Sequence, residues 1–427
     1  MYRRSRRGVL AGLGAAVGFA GCSGALFGNT PTPTPTSATL SPDRQYGYTH
    51  VQPSGNRVLD GSGDVHGVEP ITLETETRPT WLVALPGEMG SLWTVVGVLD
   101  DATTYRVADG EATEIESHRA LPAGMPPLSY STDEGSSVLR GGSVTANRTH
   151  PVVTEAGILS IAGDGDLVLR GESGVRRFPV SALPDGRIVH VGGSDYALLG
   201  DATNRYGHGA LGNQEEGGSI VFFDASVPDV TARTRVGPPE VIEGLAPMVA
   251  DLDGDGEPEV IVTVADSENG ARIAVYDRDG RRRARGPIYG PGWRHQLAVA
   301  PFAGQGPELA VTQKPHVDHV VEFYRLDDSQ LSIVAEYPNV ESHTYGSYNT
   351  DQALAGDFDG DGTVELLVPA VGRDTLFVVE RTAEGARTDW QFALDAPLTS
   401  NLAGVTLPDG RLAVGAGTDR GLRVWQG

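Results

Sequence analysis

The sequence predicts an all-β protein, a β-propeller whose blades are four-stranded antiparallel sheets, and three observations lead to this fold. The 427 residues include 57 glycines and 28 prolines but few aromatic residues, a composition typical of short strands joined by many turns. Turn signals recur at a spacing of about 50 residues, which is the spacing of propeller blades. Two near-identical acidic turns each lead directly into an apolar run that reads as a buried strand.

Residues 1–22 are predicted to be an export signal and are set apart from the fold. The stretch Ser5-Arg6-Arg7-Gly8-Val9-Leu10 resembles a twin-arginine signal. The apolar run from Gly8 to Ala20 is too short to span a bilayer. Its end, Phe19-Ala20-Gly21-Cys22, resembles a lipobox, so Cys22 is expected to be lipidated. An ordinary cleaved signal with an incidental cysteine is the alternative.

This reading predicts an exported protein on the outer face of the cytoplasmic membrane, in contact with the membrane through the lipid anchor only. Cys22 is the single cysteine, so no internal disulfide can form. A bound metal is the remaining cross-link that could stabilise the fold. Residues 23–44 are predicted to be an extended tether, because prolines alternate with threonines and no pattern there could bury a face. The folded domain is expected to span residues 45–427.

The charge of the chain excludes one class of partner. The formal net charge is −23, and Lys314 is the only lysine. Such a surface repels phosphates, so nucleic acid is not an expected ligand. The composition fits a protein kept hydrated in concentrated salt, as in a halophile; the alternative is an acidic secreted protein from a GC-rich genome.

The first acidic turn, Asp251-Leu252-Asp253-Gly254-Asp255-Gly256-Glu257-Pro258-Glu259, returns at residues 357–365. Carboxylates at positions 1, 3 and 5 with glycine at position 6 form an oxygen cage that suits calcium. An EF-hand closes with glutamate at position 12, but Val262 and Val368 occupy that position here. The closing acid is therefore expected at position 9, in a loop between two strands. A solvated acidic turn without metal is the alternative.

Two calcium ions are expected, because the corresponding turns of the other repeats have lost most of their carboxylates. The predicted metal ligands are Asp251, Asp253, Asp255, Glu257, Glu259, Asp357, Asp359, Asp361, Thr363 and Glu365.

The motif D-x-D-x-D-G-x-x-[DE] before an apolar strand resembles the FG-GAP repeat of the integrin-alpha type, also called the VCBS repeat. The clear match covers residues 245–280 and 350–380. The resemblance implies a β-propeller whose blades carry calcium in the loop between their first two strands. It does not identify a ligand.

Seven blades are expected from the register of the repeat, although six or eight also fit because the first two copies are faint. The long step between the third and fourth copies requires an insertion, which residues 200–218 supply. The last blade shows three strands of its own, and residues 68–73 are expected to add a fourth and close the ring. The register points fall near residues 83, 130, 181, 251, 301, 357 and 405.

No nucleophile motif, phosphate-binding loop or zinc-protease motif occurs in the sequence. His316-Val317-Asp318-His319 is the tightest group of candidate metal ligands. On a strand, residue 319 faces away from residues 316 and 318, so a polar hairpin tip is the favoured interpretation of this group.

A ligand-binding face is predicted from residues that precede the innermost strands of successive blades, since equivalent positions in a ring meet around one mouth of the channel. Aromatic rings with hydrogen-bonding neighbours can stack on and orient a sugar or a peptide. These side chains could equally well only cap the channel. The predicted set is Trp293, Arg294, His295, His343, Tyr345, Asn349 and Asp351.

Two functions from different classes follow. The first is a cell-surface binding module for an extracellular glycan or an envelope protein, with no enzymatic activity. The second is an extracellular polysaccharide lyase or hydrolase, which would need paired carboxylates or a His–Arg pair in one cleft. The sequence favours binding, because no second acid is evident near Asp351. A purely structural spacer in an envelope complex is a third interpretation.

Overall fold

The computed structural model describes residues 40–117, 120–206, 211 and 215–427. In these residues the regular secondary structure is all β-strand, with no helix that could cross a membrane. The export signal, Cys22 and residues 23–39 of the predicted tether lie outside the described residues. Leu40 is buried with Tyr48 and Leu128, so packing against the domain begins before residue 45.

Thirty-two strands are described, and they form eight sheets. The first three strands are short and join blades formed later in the chain: β1 (Tyr46–Gly47), β2 (Val58–Ser62) and β3 (Ile71–Leu73). Blade 1 contains β4 (Pro79–Pro86), β5 (Ser91–Gly97), β6 (Ala102–Ala108) and β7 (Glu111–Ser117). Blade 2 contains β8 (Ser129–Thr132), β9 (Gly135–Val138) and the early strand β1.

Blades 3 to 5 are regular four-stranded antiparallel sheets. Blade 3 contains β10 (Val152–Thr154), β11 (Gly157–Ile161), β12 (Asp166–Gly171) and β13 (Gly174–Pro179). Blade 4 contains β14 (Val189–Gly192), β15 (Asp195–Gly200), β16 (Ser219–Asp224) and β17 (Asp229–Arg235). Blade 5 contains β18 (Val241–Ala250), β19 (Glu259–Asp266), β20 (Gly270–Tyr276) and β21 (Arg282–Arg285).

Blade 6 is again a four-stranded antiparallel sheet, and blades 7 and 8 each include one of the early strands. Blade 6 contains β22 (Arg294–Ala300), β23 (Glu308–Gln313), β24 (Val320–Asp327) and β25 (Gln330–Pro338). Blade 7 contains β26 (Leu354–Asp357), β27 (Glu365–Pro369), β28 (Thr375–Thr382), β29 (Gly385–Ala393) and β2. Blade 8 contains β30 (Leu398–Thr406), β31 (Leu412–Thr418), β32 (Gly421–Gln426) and β3.

The eight sheets form a closed ring, because each neighbouring pair shares a hydrophobic cluster. Val299 and Val311 of blade 6 pack with Ile261 of blade 5, for example, and the ring closes where Ala403 of blade 8 packs with Trp93 of blade 1. Inner strands are more buried than outermost strands: every residue of β22 is buried, whereas most of β13 is exposed. The domain is therefore an eight-bladed β-propeller, in which the core lies between the sheets.

The expectation of seven blades is wrong, because the interval between the register points at 130 and 181 holds two blades, blade 2 and blade 3, rather than one. The turn signal near residue 181 lies between β13 and β14, at the junction of blades 3 and 4. Blade 2 has only two strands of its own, so blade 3 begins soon after Val138 and breaks the regular spacing. The predicted insertion at residues 200–218 does connect β15 to β16. It accounts for only part of the long step between the register points at 181 and 251, because the point at 181 lies before the first strand of blade 4.

The predicted closing strand is present. β3 pairs antiparallel with β32, with Ile71 opposite Val424 and Leu73 opposite Leu422. The first and last parts of the described chain therefore share one sheet, which covers the outer edge of blade 8.

The segment that joins β1 to β2, residues 48–57, occupies the axis of the ring. It hydrogen-bonds to the innermost strands of four successive blades: the backbone N–H groups of His190, Val249 and Ala355 donate to segment carbonyls, and Asn56 exchanges two bonds with Val299. The central channel is therefore filled by the protein's own chain over much of its length.

Candidate functional site

The first acidic loop, residues 251–259, connects β18 to β19 and therefore joins the first two strands of blade 5. Asp251 accepts hydrogen bonds from the backbone N–H groups of Gly254 and Gly256, at 2.7 and 2.9 Å. Glu259 accepts from the N–H of Leu252 at 2.8 Å, and Leu252 is itself buried in the core. Ligand atoms of Asp251, Asp253 and Glu259 lie within 4.8 Å of one another.

The second loop, residues 357–365, joins β26 to β27 of blade 7 in the same way. Asp357 accepts from Gly360 and Gly362, at 2.8 and 3.1 Å, and Glu365 accepts from the N–H of Phe358 at 2.9 Å. Ligand atoms of four carboxylates lie within 4.8 Å of one another; these are Asp357, Asp359, Asp361 and Glu365.

The glycines at position 4 of the two loops have positive φ angles of 78° and 80°, and those at position 6 have φ angles of 92° and 88°. L-residues with a Cβ rarely adopt this region. The loops curl around their carboxylates for this reason, and the sequence predicted this geometry correctly. Among the described residues, these two loops hold the groups of three or more acidic or histidine ligands that could bind one metal ion.

Three of the ten predicted ligands lie outside these groups. Asp255 is exposed and accepts a hydrogen bond from the N–H of Glu257. The carboxylate of Glu257 pairs with Arg278 at 2.9 Å, and Thr363 donates its backbone N–H to Asp361.

The electrostatics of the two loops differ. In the first, Arg283 pairs with Asp253 at 2.7 Å and lies 3.7 Å from Glu259. Burial raises the pKa of Glu259, and Arg283 opposes that rise. In the second, burial and then the three neighbouring aspartates raise the pKa of Glu365 to about 8. The second loop is therefore the one in which negative charge is least compensated by the protein.

The structure brings three of the seven residues of the predicted ligand face into one aromatic cluster at a mouth of the channel, but most of the predicted face is buried. The rings of Trp293 and His295 stack at 4.5 Å, and His343 packs edge-on against both, at 5.2 and 5.6 Å. Of the seven predicted residues only Tyr345 is exposed, at 69%. The six buried members are Trp293, Arg294, His295, His343, Asn349 and Asp351.

Asp351 lies in the centre of the ring and is fully bonded to the protein. Arg57 bonds its Oδ1 at 2.6 Å, while Arg187 and the hydroxyl of Thr49 bond its Oδ2, both at 2.7 Å. Burial alone would raise the pKa of Asp351, but the two guanidinium groups hold that pKa well below its usual range. Arg294 is likewise internal: it donates to the carbonyl of Ala271 and lies 3.6 Å from Glu322.

His316 does not form a site with Asp318 and His319. Its Nε2 instead lies 2.9 Å from Nε2 of His343, so one ring donates a hydrogen bond to the other. Its ring also packs edge-on against Tyr345 at 5.2 Å, and Asp318 pairs with Lys314. The histidine therefore belongs to the mouth of the channel.

Tyr345 borders a surface groove of about 570 Å³ on this mouth. The groove runs between the loop of residues 344–349 and the connections into blades 1 and 8, and Asn349 and Tyr348 also line it. Tyr348 is held by Arg148, whose guanidinium lies 4.1 Å over its ring. The other walls carry hydrogen-bonding groups such as Thr80, Thr399, Arg373 and Asp419.

A pair of buried acids was missed by the sequence reasoning. Gly217 and Ile242 exchange two backbone hydrogen bonds, so Glu216 lies opposite Glu243 in the adjacent, closer type of pair. Burial, and then the charge of Glu243, raise the pKa of Glu216 to about 9. Glu216 lies in the connection that leads into β16, whereas Glu243 belongs to β18, and only the register of the bridge between them could have revealed the pairing.

No family model matches the chain, and no curated protein matches it. Solved structures do match. Sqt1 from Saccharomyces cerevisiae is similar with a TM-score of 0.54 and 9% identity, covering 83% of this chain and 97% of that one. A structure of BBS1N in complex with ARL6DN has a TM-score of 0.43 and 11% identity, covering 84% of this chain and 97% of the other. At these identities the likeness extends to the fold alone.

Proposed function

We propose that this protein is a calcium-bearing β-propeller that binds an extracellular glycan or envelope protein through the groove beside Tyr345. The proposal includes an FG-GAP type of repeat, export by the twin-arginine signal, and anchoring at the outer face of the cytoplasmic membrane through Cys22. The propeller fold is compatible with a binding module in general. The groove is the observation that supports this particular site.

The groove has the chemistry of a binding surface for polar ligands. Tyr345 presents its ring to solvent, and an aromatic face can stack on the apolar face of a sugar ring. Around it lie hydroxyl, amide, guanidinium and carboxylate groups, which can orient a ligand by hydrogen bonding. The volume of about 570 Å³ lies within the range of small-ligand sites. The two calcium ions would bind at the C-terminal ends of β18 and β26 and would hold those ends in place.

The experiment measures binding of the purified domain to a panel of immobilised neutral and acidic polysaccharides, at constant calcium and salt. We expect Tyr345→Ala to weaken binding by about tenfold or more, because aromatic stacking on a ligand contributes on the order of 1 kcal/mol or more. Tyr289→Ala is the matched control, since Tyr289 is 51% exposed and does not line the groove. Equal binding by wild type and Tyr345→Ala would refute this site.

The alternative, an extracellular polysaccharide lyase or hydrolase, is favoured by one observation. Glu216 is a carboxylic acid whose pKa is raised to about 9 beside a second carboxylate, a property of general acids in glycosidases. The same polysaccharides, incubated with the protein and analysed for shortened chains, separate the two functions. Release of fragments by wild type but not by Glu216→Gln would establish the enzyme.

A further inference from the structure

A small cavity lies within the ring beside residues 48–57, and it is separate from the groove and from the acidic loops. Its volume is about 40 Å³, whereas one water molecule needs about 10–15 Å³ by this kind of measure. The cavity can therefore hold a few waters or a monatomic ion, and it is far too small for a glycan. The inference drawn from it does not depend on the proposed binding function.

The walls of this cavity carry positive charge. Arg57 and Arg187 both line it, and none of the described residues lining it carries a carboxylate. Both arginines pair with Asp351, which is a single negative charge. Two guanidinium groups therefore share one carboxylate partner in a buried place, where an uncompensated charge is costly.

The cavity is also rich in hydrogen-bond donors that lack partners. Arg57 uses all three of its nitrogen atoms, but Arg187 bonds through Nη1 alone, and its Nε and Nη2 have no partner among the described residues. Nε1 of Trp293, also in the wall, has none either. Arg187 and Trp293 are 3% and 4% exposed, so bulk solvent does not satisfy these N–H groups.

Among the fully buried side-chain atoms of the described wall residues, one unpaired acceptor is found, on His50. Its Nδ1 lies 2.8 Å from the carbonyl of Gln52 and must carry the proton that this contact requires, so its Nε2 has a free lone pair. Among these buried side chains, four unpaired N–H bonds, three on Arg187 and one on Trp293, thus outnumber one unpaired lone pair. A water molecule both donates and accepts hydrogen bonds, so water alone would need similar numbers of free donors and acceptors in the wall. An anion only accepts hydrogen bonds. The imbalance favours an anion accompanied by one water that donates to His50.

We propose that this cavity binds a halide ion, chloride in a chloride-containing medium, which is held by Arg187 and Trp293 and balances the second guanidinium charge. The ion would stabilise the contact between residues 48–57 and the ring. It is a structural site, and a chloride concentration that fills it should raise the melting temperature.

The test uses the whole propeller domain at fixed calcium concentration. In crystals soaked in sodium bromide, anomalous diffraction at the bromine edge should show a peak in the cavity at hydrogen-bond distance from Arg187 and Trp293. In solution, the melting temperature is measured as sodium chloride replaces sodium gluconate at constant ionic strength. Trp293→Phe keeps the ring but removes one donor, and it should raise the apparent chloride dissociation constant about tenfold.

Trp390→Phe is the matched control, because Nε1 of Trp390 is also unpartnered but lies in blade 7, outside the cavity. Trp390→Phe should leave the chloride dependence of the melting temperature unchanged, and Arg187→Gln should abolish that dependence. Two results would each overturn the proposal. The first is a cavity that holds only water in bromide-soaked crystals. The second is a chloride dependence that is the same in Trp293→Phe and Trp390→Phe.

Discussion

The acidic loop of blade 5 and the acidic loop of blade 7 make the same five backbone-to-carboxylate hydrogen bonds, yet only the first is reached by an arginine. In the first loop Arg283 lies against Asp253 and near Glu259. In the second, none of the described arginines pairs with a loop carboxylate, and four acids rather than three share one centre.

This difference teaches that a shared sequence motif does not imply a shared affinity. The backbone geometry is set by glycine positions that both loops possess, whereas calcium affinity depends on the number of charged ligands and on their freedom to bind. Arg283 would compete with a calcium ion for the oxygens of the first loop. We therefore expect a tight calcium site at residues 357–365 and a weaker one at residues 251–259.

The largest effect should come from Asp361→Asn. Asparagine keeps the oxygen that accepts from Thr363 but removes one of four clustered charges. Calcium affinity of the tight site should fall roughly 100-fold, or about 2.8 kcal/mol. Titration calorimetry of calcium into chelator-stripped protein measures the change.

The matched control for this change is Asp255→Asn at the equivalent position of the first loop. Asp255 is exposed and lies outside its carboxylate group, so the weak site should change much less. Equal losses in the two variants would break the comparison and show that both loops bind calcium alike.

A smaller effect in the opposite direction is expected from Arg283→Gln. Removing the competing cation frees Asp253 and Glu259, so calcium should bind the first loop about tenfold more tightly, a gain of about 1.4 kcal/mol. Calorimetry should then show two sites that are closer in affinity. Arg281→Gln provides the control, since Arg281 pairs with Asp277; an unchanged weak site in Arg283→Gln would contradict the competitor role.

The third effect is on stability and leaves calcium affinity unchanged. It concerns a third acidic group, Glu216 and Glu243, in which a proton takes the place of a cation. The folded-state pKa of Glu216 is about 9, above its ordinary value near 4.5. Between pH 4.5 and about pH 9 the folded protein therefore keeps a proton on Glu216 that the unfolded chain has released. The contribution of Glu216 to stability is therefore full below pH 4.5 and is lost as pH rises toward 9.

Glu216→Gln should remove this loss and so gain stability over wild type with rising pH, by about 1.4 kcal/mol per pH unit and so roughly 4 kcal/mol between pH 5 and pH 8. Thermal unfolding at a series of pH values measures it. The exposed neighbour Glu215 supplies the control variant, Glu215→Gln, whose difference from wild type should stay flat. A flat difference for Glu216→Gln as well would mean that this carboxylate is ionised in the folded protein.

Much of the fold could be predicted from the sequence because the informative features are local. The acidic loops lie between the first two strands of their blades, as position 9 and the following apolar run indicated, and the strand near Ile71 closes blade 8 as expected. The eighth blade was missed because blade 2 takes β1 from a distant part of the chain, and spacing along the sequence cannot show a borrowed strand.

The candidate site was harder to predict, because burial is not a local property. The segments before the first strands do meet at one mouth, but most of their side chains are turned into the core and only Tyr345 is free to meet a ligand. The central role of Arg57 and Arg187 was not predicted. Arg187 lies in a turn, residues 183–189, whose sequence returns at residues 407–413, but the equivalent Arg411 is exposed, so the motif did not indicate a buried role. Residues 48–57 place Arg57 on the axis, and nothing in their composition indicates that position.

The route of the chain along the axis has a mechanical consequence. Strand β2 runs parallel to β26, and Arg57 is bonded to Asp351 next to it. Tension applied upstream of residue 40 reaches these contacts along the strand direction and loads them in shear, so that they resist together instead of opening one after another. The ring would therefore resist pulling from that end as one unit.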